Sequence, residues 1–285
     1  MRTSVLSVLI INLIGNAFSQ SLLWKISGNG LKEDSYLYGT IHIQDNRVFL
    51  YGDTVLNAFN NCNAYAMEVV IDEIDKSALE EVIYLKEGSI KDYLSDEEYQ
   101  KLDDYCKEKI GAGLEMLKKM KPFFLSSQLM QVDMPKDRPL ALDADFLNMA
   151  RKQGKLVLGI EELSDQLGAI DEIPVEEQVN MLMANVNDTM KAQNQFEALI
   201  DAYLLGDFES IQTLMADTSL PKEFEEAMLI KRNKGMAKNI AKYIKKQSTF
   251  NAIGAAHLPG EKGVIALLRK KGFTVEPVPF TFNKQ

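Results

Sequence analysis

The chain has 285 residues, 46% of them hydrophobic and 26% charged, and its formal net charge is -9 at pH 7. This composition is that of a globular protein with room for one large domain or two small ones, and it excludes a disordered or repetitive chain. The acidic balance argues against nucleic-acid binding, which relies on Lys and Arg to neutralise phosphates, and it gives no help in docking on anionic lipid.

Residues 1–19 have the pattern of a secretory signal peptide. Arg2 supplies the positive charge, Val5 to Ile14 the apolar region, and Ala17-Phe18-Ser19 a cleavage site of small residues. The apolar run is too short to span a bilayer, for which ~20 residues are needed, and no later segment qualifies. We therefore expect an exported protein, periplasmic or secreted, whose mature part (20–285) has no stable membrane span.

The mature chain begins with the pattern of a β-hairpin. Leu22 to Ser27 alternates as a strand does, Gly28-Asn29-Gly30 marks a turn, and Ser35 to Ile41 resumes the strand. The second strand runs directly into His42. Tyr51 to Asn60 then has the apolar spacing of a helix.

The next strand signal contains an acid. Ala64 to Val70 is a short apolar run interrupted by Glu68. A carboxylate is costly to bury unless it is paired or bound to a cation, so Glu68 is a candidate site residue. The alternative is a Glu on an edge strand that faces water.

From about Lys76 to Leu129 the pattern is amphipathic and helical. Ser95 and Glu98 form a capping box that begins one of these helices. We interpret this block as scaffold. Its methionines, continuing through Met130 and Met134, favour core packing over the alternative of a groove for an apolar substrate.

Two strand-helix-strand units are predicted in the second half of the chain. The first has strands at Pro139 to Asp143 and Leu156 to Glu161, which would bring both terminal acids to one sheet edge. There Asp143 and Glu161 would either orient a histidine or cap a helix. The second unit has a strand at Phe250 to Ile253 and another at Phe273 to Val278, with a helix between them.

Pro174 to about Lys246 is almost wholly helical, with breaks at Gly206-Asp207 and around 218–221. Spacing alone makes Arg232 one of several solvated cations on a helix face. The elements together predict an α/β fold: two βαβ-type halves (roughly 20–135 and 136–285) forming a mixed sheet core, with large helical insertions and a site in the cleft between the halves.

Both histidines of the chain occur in the same local pattern, in which a strand runs into Gly-x-x-His. The two copies are Gly39-Thr40-Ile41-His42 and Gly254-Ala255-Ala256-His257. Sites in α/β proteins form just beyond strand ends, so the pattern predicts one site built from both ends of the chain. With Glu68, the imidazoles form the ligand set of a hydrolytic divalent metal site.

Other interpretations of these residues stay open. One histidine acts as a general base oriented by Glu68 on an ester, without a metal, or the chain binds a peptide signal without cutting it. Each histidine alone is also compatible with a hydrogen-bonded scaffold role. Cys62 and Cys106 either form a disulfide or remain two buried thiols.

The sequence resembles the TraB/PrgY/GumN family, which includes the TIKI metalloproteases. The likeness extends from Leu22 to Val278 and rests on the motifs in order: the two Gly-x-x-His elements, Met67-Glu68-Val69, Gly159-Ile160-Glu161-Glu162 with Gln166 after it, Arg232-Asn233, and Gly272-Phe273-Thr274-Val275. The resemblance implies an α/β fold with a site between two halves, distantly akin to the erythromycin esterases.

For the site, the resemblance implies a hydrolase of peptides or of small ester or amide substrates. It places His42, Glu68 and His257 around a divalent metal, Mn²⁺ or Co²⁺ in type with Zn²⁺ as a further candidate. Arg232 would hold a substrate carboxylate or the developing oxyanion. Asn233 would support Arg232, and Glu161 would support the ligands from behind.

Overall fold

The structure is a computed structural model that describes residues 21–73, 83–215 and 222–283. The predicted signal peptide lies outside the described residues, as do the break in the helical pattern predicted around 218–221 and residues 76–82 of the predicted helical block. None of the helices in the described part of the chain combines the length and hydropathy needed to span a bilayer.

Within these residues, six strands form one mixed sheet. The strands are β1 (Leu23–Ser27), β2 (Ser35–Thr40), β3 (Ala64–Met67), β4 (Leu156–Gly159), β5 (Thr249–Gly254) and β6 (Thr274–Pro277). Their order across the sheet is β4-β3-β5-β2-β1-β6. Strands β4, β3, β5 and β2 are parallel, whereas β1 is antiparallel to β2 and β6. The predicted hairpin and mixed α/β sheet are confirmed.

Helices connect and cover the strands. They are α1 (Gly52–Asn60), α2 (Asp96–Ile110), α3 (Leu114–Leu117), α4 (Pro122–Asp133), α5 (Leu142–Lys152), α6 (Leu163–Asp171), α7 (Val175–Asn187), α8 (Thr189–Leu205), α9 (Phe208–Met215), α10 (Lys222–Glu225), α11 (Arg232–Ile244) and α12 (Val264–Lys270). A π-helix (Glu226–Lys231) leads into α11, and short 3₁₀ helices lie at Asn46–Phe49, Ile71–Glu73, Ile90–Tyr93 and Ala255–His257.

Several local signals act as expected. Ser95 and Glu98 make both hydrogen bonds of the capping box at the start of α2. Helix α8 ends at Gly206, whose φ of 64° is left-handed and easiest for glycine. The C-terminal unit β5-α12-β6 is present, and its crossover passes β2 and β1 to reach the far edge of the sheet.

The strand predicted at Pro139 to Asp143 is wrong. Helix α5 begins at Leu142, so Asp143 lies in its first turn. The backbone N–H of Leu142 donates to Ile43 O, which ties this segment to the loop after His42 instead of to the sheet. The parallel neighbour of β4 is therefore β3, and the first predicted βαβ unit does not form.

The described residues form two hydrophobic clusters, one on the sheet and one among α2, α3, α4 and α7. Cys62 belongs to the first cluster and Cys106 to the second, and both are buried free thiols. Of the two alternatives left open by the sequence, the structure has the two buried thiols and not the disulfide, because the two residues pack in separate cores.

Candidate functional site

The carboxyl ends of the four parallel strands lie side by side along one edge of the sheet. Thr40 of β2 pairs with Gly254 of β5, and Met67 of β3 pairs with Ala252 of β5 and Gly159 of β4. A candidate residue follows each strand within three positions: His42, Glu68, Glu161 and His257. Parallel register alone thus brings both ends of the chain to one place, which is where open α/β sheets bind ligands.

Close packing explains the glycine in each Gly-x-x-His pattern. A Cβ on Gly39 would lie 2.7 Å from Leu258 Cδ1 and 3.2 Å from the Cα of Ala255. A Cβ on Gly254 would lie 3.2 Å from Glu68 Oε1. The glycines therefore let the two strand ends and the carboxylate approach one another, which a side chain would prevent.

Glu68 is buried at the centre of the cluster, and both of its carboxylate oxygens accept hydrogen bonds. Oε1 accepts from the Gly254 backbone N–H at 2.6 Å, and Oε2 accepts from Arg232 Nη2 at 2.7 Å and Gln166 Nε2 at 3.0 Å. Burial opposes ionisation, but the charges of the two imidazoles and of Arg232, with the Gly254 hydrogen bond, outweigh it and lower the pKa of Glu68 to about 2.

Arg232 is a buried cation shared by two carboxylates. Its Nε lies 3.1 Å from each oxygen of Glu161, and Nη2 donates to both Glu161 and Glu68 at 2.7 Å. Nη1 donates to Met228 O at 3.1 Å, within the π-helix that precedes Arg232. The guanidinium is therefore engaged at every nitrogen. Burial raises the pKa of Glu161, and Arg232 opposes that rise.

His257 is buried and oriented by an amide. Its Nδ1 lies 2.7 Å from Asn233 Oδ1, which accepts a hydrogen bond, so Nδ1 carries the proton and Nε2 the lone pair. Asn233 also donates to Lys262 O at 3.0 Å, which fixes its orientation. Burial is the main cause that lowers the pKa of His257 to about 4, so the ring is neutral at pH 7.

His42 has a carboxylate where His257 has an amide. Its Nδ1 lies 2.9 Å from Asp143 Oδ1. Desolvation by the surrounding protein disfavours the charged ring and lowers its pKa. The charge and hydrogen bonding of Asp143 outweigh this effect and raise the pKa of His42 to about 9. The side chain of His42 is 57% exposed, so it lies at the mouth of the site.

His42, Glu68 and Asp143 line a small cavity of about 130 Å³. Its walls are Thr40, His42, Met67, Glu68, Val69, Asp143, Gln166 and Ala252. His257 faces the cavity wall at Glu68, with Nε2 3.9 Å from Oε1. Gln166 belongs to the motif that follows β4, and the sequence alone assigned it no role. The signal for it is a polar side chain in α6, the first helix after Glu161.

A resident metal ion does not fit the residues as they stand. Within the described ranges, no group of three or more His, Cys, Asp or Glu side chains is arranged to hold one. His257 Nε2 and Glu68 Oε1 are close enough to share an ion, given ligand bonds of about 2.1 Å. The Nδ1 of His42 lies 2.9 Å from Asp143 Oδ1, which leaves Nε2 as the only ring nitrogen that could complete the set, and Arg232 already neutralises Glu68.

Comparison with known proteins gives a consistent set of relatives. The chain is 26% identical to metalloprotease TIKI2 of Danio rerio over 334 residues, covering 91% of this chain and 61% of the relative. It is 26% identical to metalloprotease TIKI1 of Homo sapiens, with coverages of 91% and 62%. The chain thus spans about three fifths of these relatives' length. The model of the TraB/PrgY/gumN family matches residues 22–277, so the chain belongs to that family.

Proposed function

We propose that this chain is an exported hydrolase that cleaves peptide bonds at the cavity between His42 and Glu68. One observation carries the proposal: the two histidines of the chain and a buried carboxylate converge at one sheet edge, each with its own orienting partner. The peptide substrate is drawn from the relatives, which are named metalloproteases.

The facing pair of His257 and Glu68 supports a site for the attacking water. The Nε2 lone pair and Oε1 are both acceptors, and at 3.9 Å they are too far apart to bond directly. A water molecule between them donates one hydrogen to each and presents its oxygen lone pairs to a substrate. Neutral His257 then serves as the general base, because its Nε2 is free to take a proton.

His42 is suited to the opposite task. Asp143 stabilises the protonated ring, and the exposed position of His42 puts it where a leaving group would depart. Two titratable groups whose environments move their pKa values apart are the usual arrangement of an acid and a base. We assign His42 as the general acid and His257 as the general base.

The reaction follows in two balanced steps. The water oxygen forms a bond with the peptide carbonyl carbon, its proton passes to His257 Nε2, and the carbonyl π electrons move to oxygen. The oxyanion then re-forms the carbonyl, the C–N bond breaks, and the amine takes a proton from His42. The products are a carboxylic acid and an amine, and proton exchange with solvent restores both rings.

Four residues hold this arrangement. Asn233 fixes the tautomer of His257, and Asp143 orients His42. Arg232, itself held by Glu161, keeps Glu68 ionised and in place. Because its nitrogens are engaged, we assign Arg232 to positioning Glu68 and not to contacting substrate.

The ground for considering a metal ion at this site is that the relatives are named metalloproteases. Metal binding at this site would require the His42 ring to lose its proton and the ion to compete with Arg232 for Glu68. The steps above use protein groups and water alone.

The test is peptide cleavage by the purified protein. We expect new peptide termini, detected by mass spectrometry after incubation with a peptide mixture, with and without added Mn²⁺. His257→Ala and Glu68→Gln should each lower the rate by at least about 100-fold. Glu276→Gln, the same change at an exposed position of β6, is the control. Full activity in both site variants would refute the proposed site.

A further inference from the structure

The oxyanion formed in the proposed reaction needs a hydrogen-bond donor that faces the cavity. Arg232 is poorly placed for this, because its side chain is 9% exposed and is engaged with Glu68 and Glu161. Two of the walls, Glu68 and Asp143, are carboxylates that would repel a developing negative charge. A neutral or cationic donor among the cavity walls is therefore required.

We propose that Gln166 is this donor, and that its side-chain amide hydrogen-bonds the carbonyl oxygen of the substrate as negative charge develops there. The inference rests on the proposed function, because it assigns a residue to the same reaction. It adds a catalytic residue that contacts substrate.

The geometry of Gln166 supports the assignment. Gln166 lies on α6, is half-buried, and is one of the cavity walls. Its Nε2 donates to Glu68 Oε2 at 3.0 Å, its single side-chain hydrogen bond among the described residues. An amide nitrogen carries two hydrogens, so one N–H remains for a ligand in the cavity. Since Glu68 fixes the amide nitrogen toward itself, the donor is oriented before substrate binds.

The neighbouring donors are less suited to the task. His42 is required to protonate the leaving amine, and its ring lies at the exposed mouth. Thr40 is a wall too, but it is 2% exposed at the end of β2 and offers a single hydroxyl. Among the side chains of the cavity walls described, Gln166 combines a fixed orientation with an unused N–H.

The key variant is Gln166→Met, which preserves length and removes the donor. The loss of one oxyanion donor lowers kcat by about 100- to 1,000-fold, and we expect KM to change little. Gln153→Met is the matched control, since Gln153 is exposed at the end of α5 and contacts Asn60. Circular dichroism and the thermal midpoint verify that both variants fold.

A second measurement separates contact with the oxyanion from support of Glu68. The probe is the phosphinic pseudodipeptide of alanine, whose tetrahedral P–O⁻ group mimics the oxyanion, titrated calorimetrically. If Gln166 contacts the oxyanion, Gln166→Met should weaken probe affinity by the same factor as kcat/KM. If Gln166 only holds Glu68, kcat falls while probe affinity stays within about threefold, which overturns the inference.

The outcomes also distinguish the inference from the proposed function. If the wild-type protein cleaves peptides and kcat is unchanged in Gln166→Met, the role of Gln166 is overturned. The proposed hydrolase function is then retained. Probe binding without cleavage, weakened in Gln166→Met, refutes peptide hydrolysis and supports Gln166 only as a hydrogen-bond donor to an anionic ligand in the cavity. Neither cleavage nor probe binding by the wild-type protein overturns both.

Discussion

Replacing Asp143 with Asn tests the assignment of His42 as general acid. The variant keeps the shape of the side chain but removes the charge that lies 2.9 Å from His42 Nδ1. The carboxylate favours the protonated ring, so its loss lowers the pKa of His42. A general acid must be protonated to act. The alkaline limb of the pH–activity profile should therefore move to lower pH.

The size of the effect follows from the pKa values. With Asp143, the pKa of His42 is about 9, and without it the pKa falls toward the ordinary value of 6.5 or below. At pH 8 the protonated fraction then drops from about 0.9 to about 0.03, a loss of about 30-fold, whereas at pH 5.5 it changes by about 10%. The side chain of His42 is 57% exposed, so solvent screening makes 30-fold the upper end.

The assay is kcat/KM for one cleaved peptide from pH 4 to 10. Wild-type activity should rise through pH 4, as His257 loses its proton, and fall through pH 9, as His42 loses its own. Asp145→Asn is the control, because Asp145 lies in the same first turn of α5 and makes the same change in net charge. An Asp143→Asn profile that is lower at every pH but has unmoved limbs would refute the reasoning.

Four further predictions concern the site, a strand end and one helix. Asn233→Ala should lower kcat by about 10- to 100-fold in steady-state kinetics, because His257 loses the acceptor that fixes its tautomer. Calorimetric titration should find Mn²⁺ bound in the millimolar range, and tighter in Arg232→Gln, because Arg232 neutralises the carboxylate ligand. In urea unfolding, Gly39→Ala should cost about 1–3 kcal/mol, because its Cβ would clash with two residues. Gly168→Ala, whose Cβ meets nothing within 4 Å inside α6, should gain about 0.5–1 kcal/mol.

The sequence predicted the residues that lie at strand ends. Each Gly-x-x-His pattern and the acid in the β3 run carry a local signal, since a strand followed by a polar residue indicates the edge of a sheet. The parallel pairing of β2 with β5 then brings His42 and His257 together. Sequence also indicated the capped helix α2 and the C-terminal β5-α12-β6 unit through spacing and capping residues.

The contacts that set the chemistry were not predictable in the same way. A short apolar run such as Pro139 to Asp143 has no periodicity that separates a strand from the start of a helix. Its outcome depends on a hydrogen bond from Leu142 to Ile43, about a hundred residues earlier in the chain. Gln166 reaches Glu68 only because α6 begins at the same sheet edge. Arg232 looked solvated because a helical face does not reveal two carboxylates supplied by other elements.

The two histidines share one local pattern and have opposite electrostatic surroundings. His42 faces the carboxylate of Asp143, and His257 faces the amide of Asn233, so their pKa values lie at about 9 and about 4. A metal ion would have to displace the proton of His42 to bind that ring, since only the neutral ring offers a lone pair to an ion. At neutral pH one ring is charged and the other is not, so the pair is asymmetric, as acid and base catalysis requires. The difference arises from the residues behind the rings and not from the strand-end pattern that the histidines share.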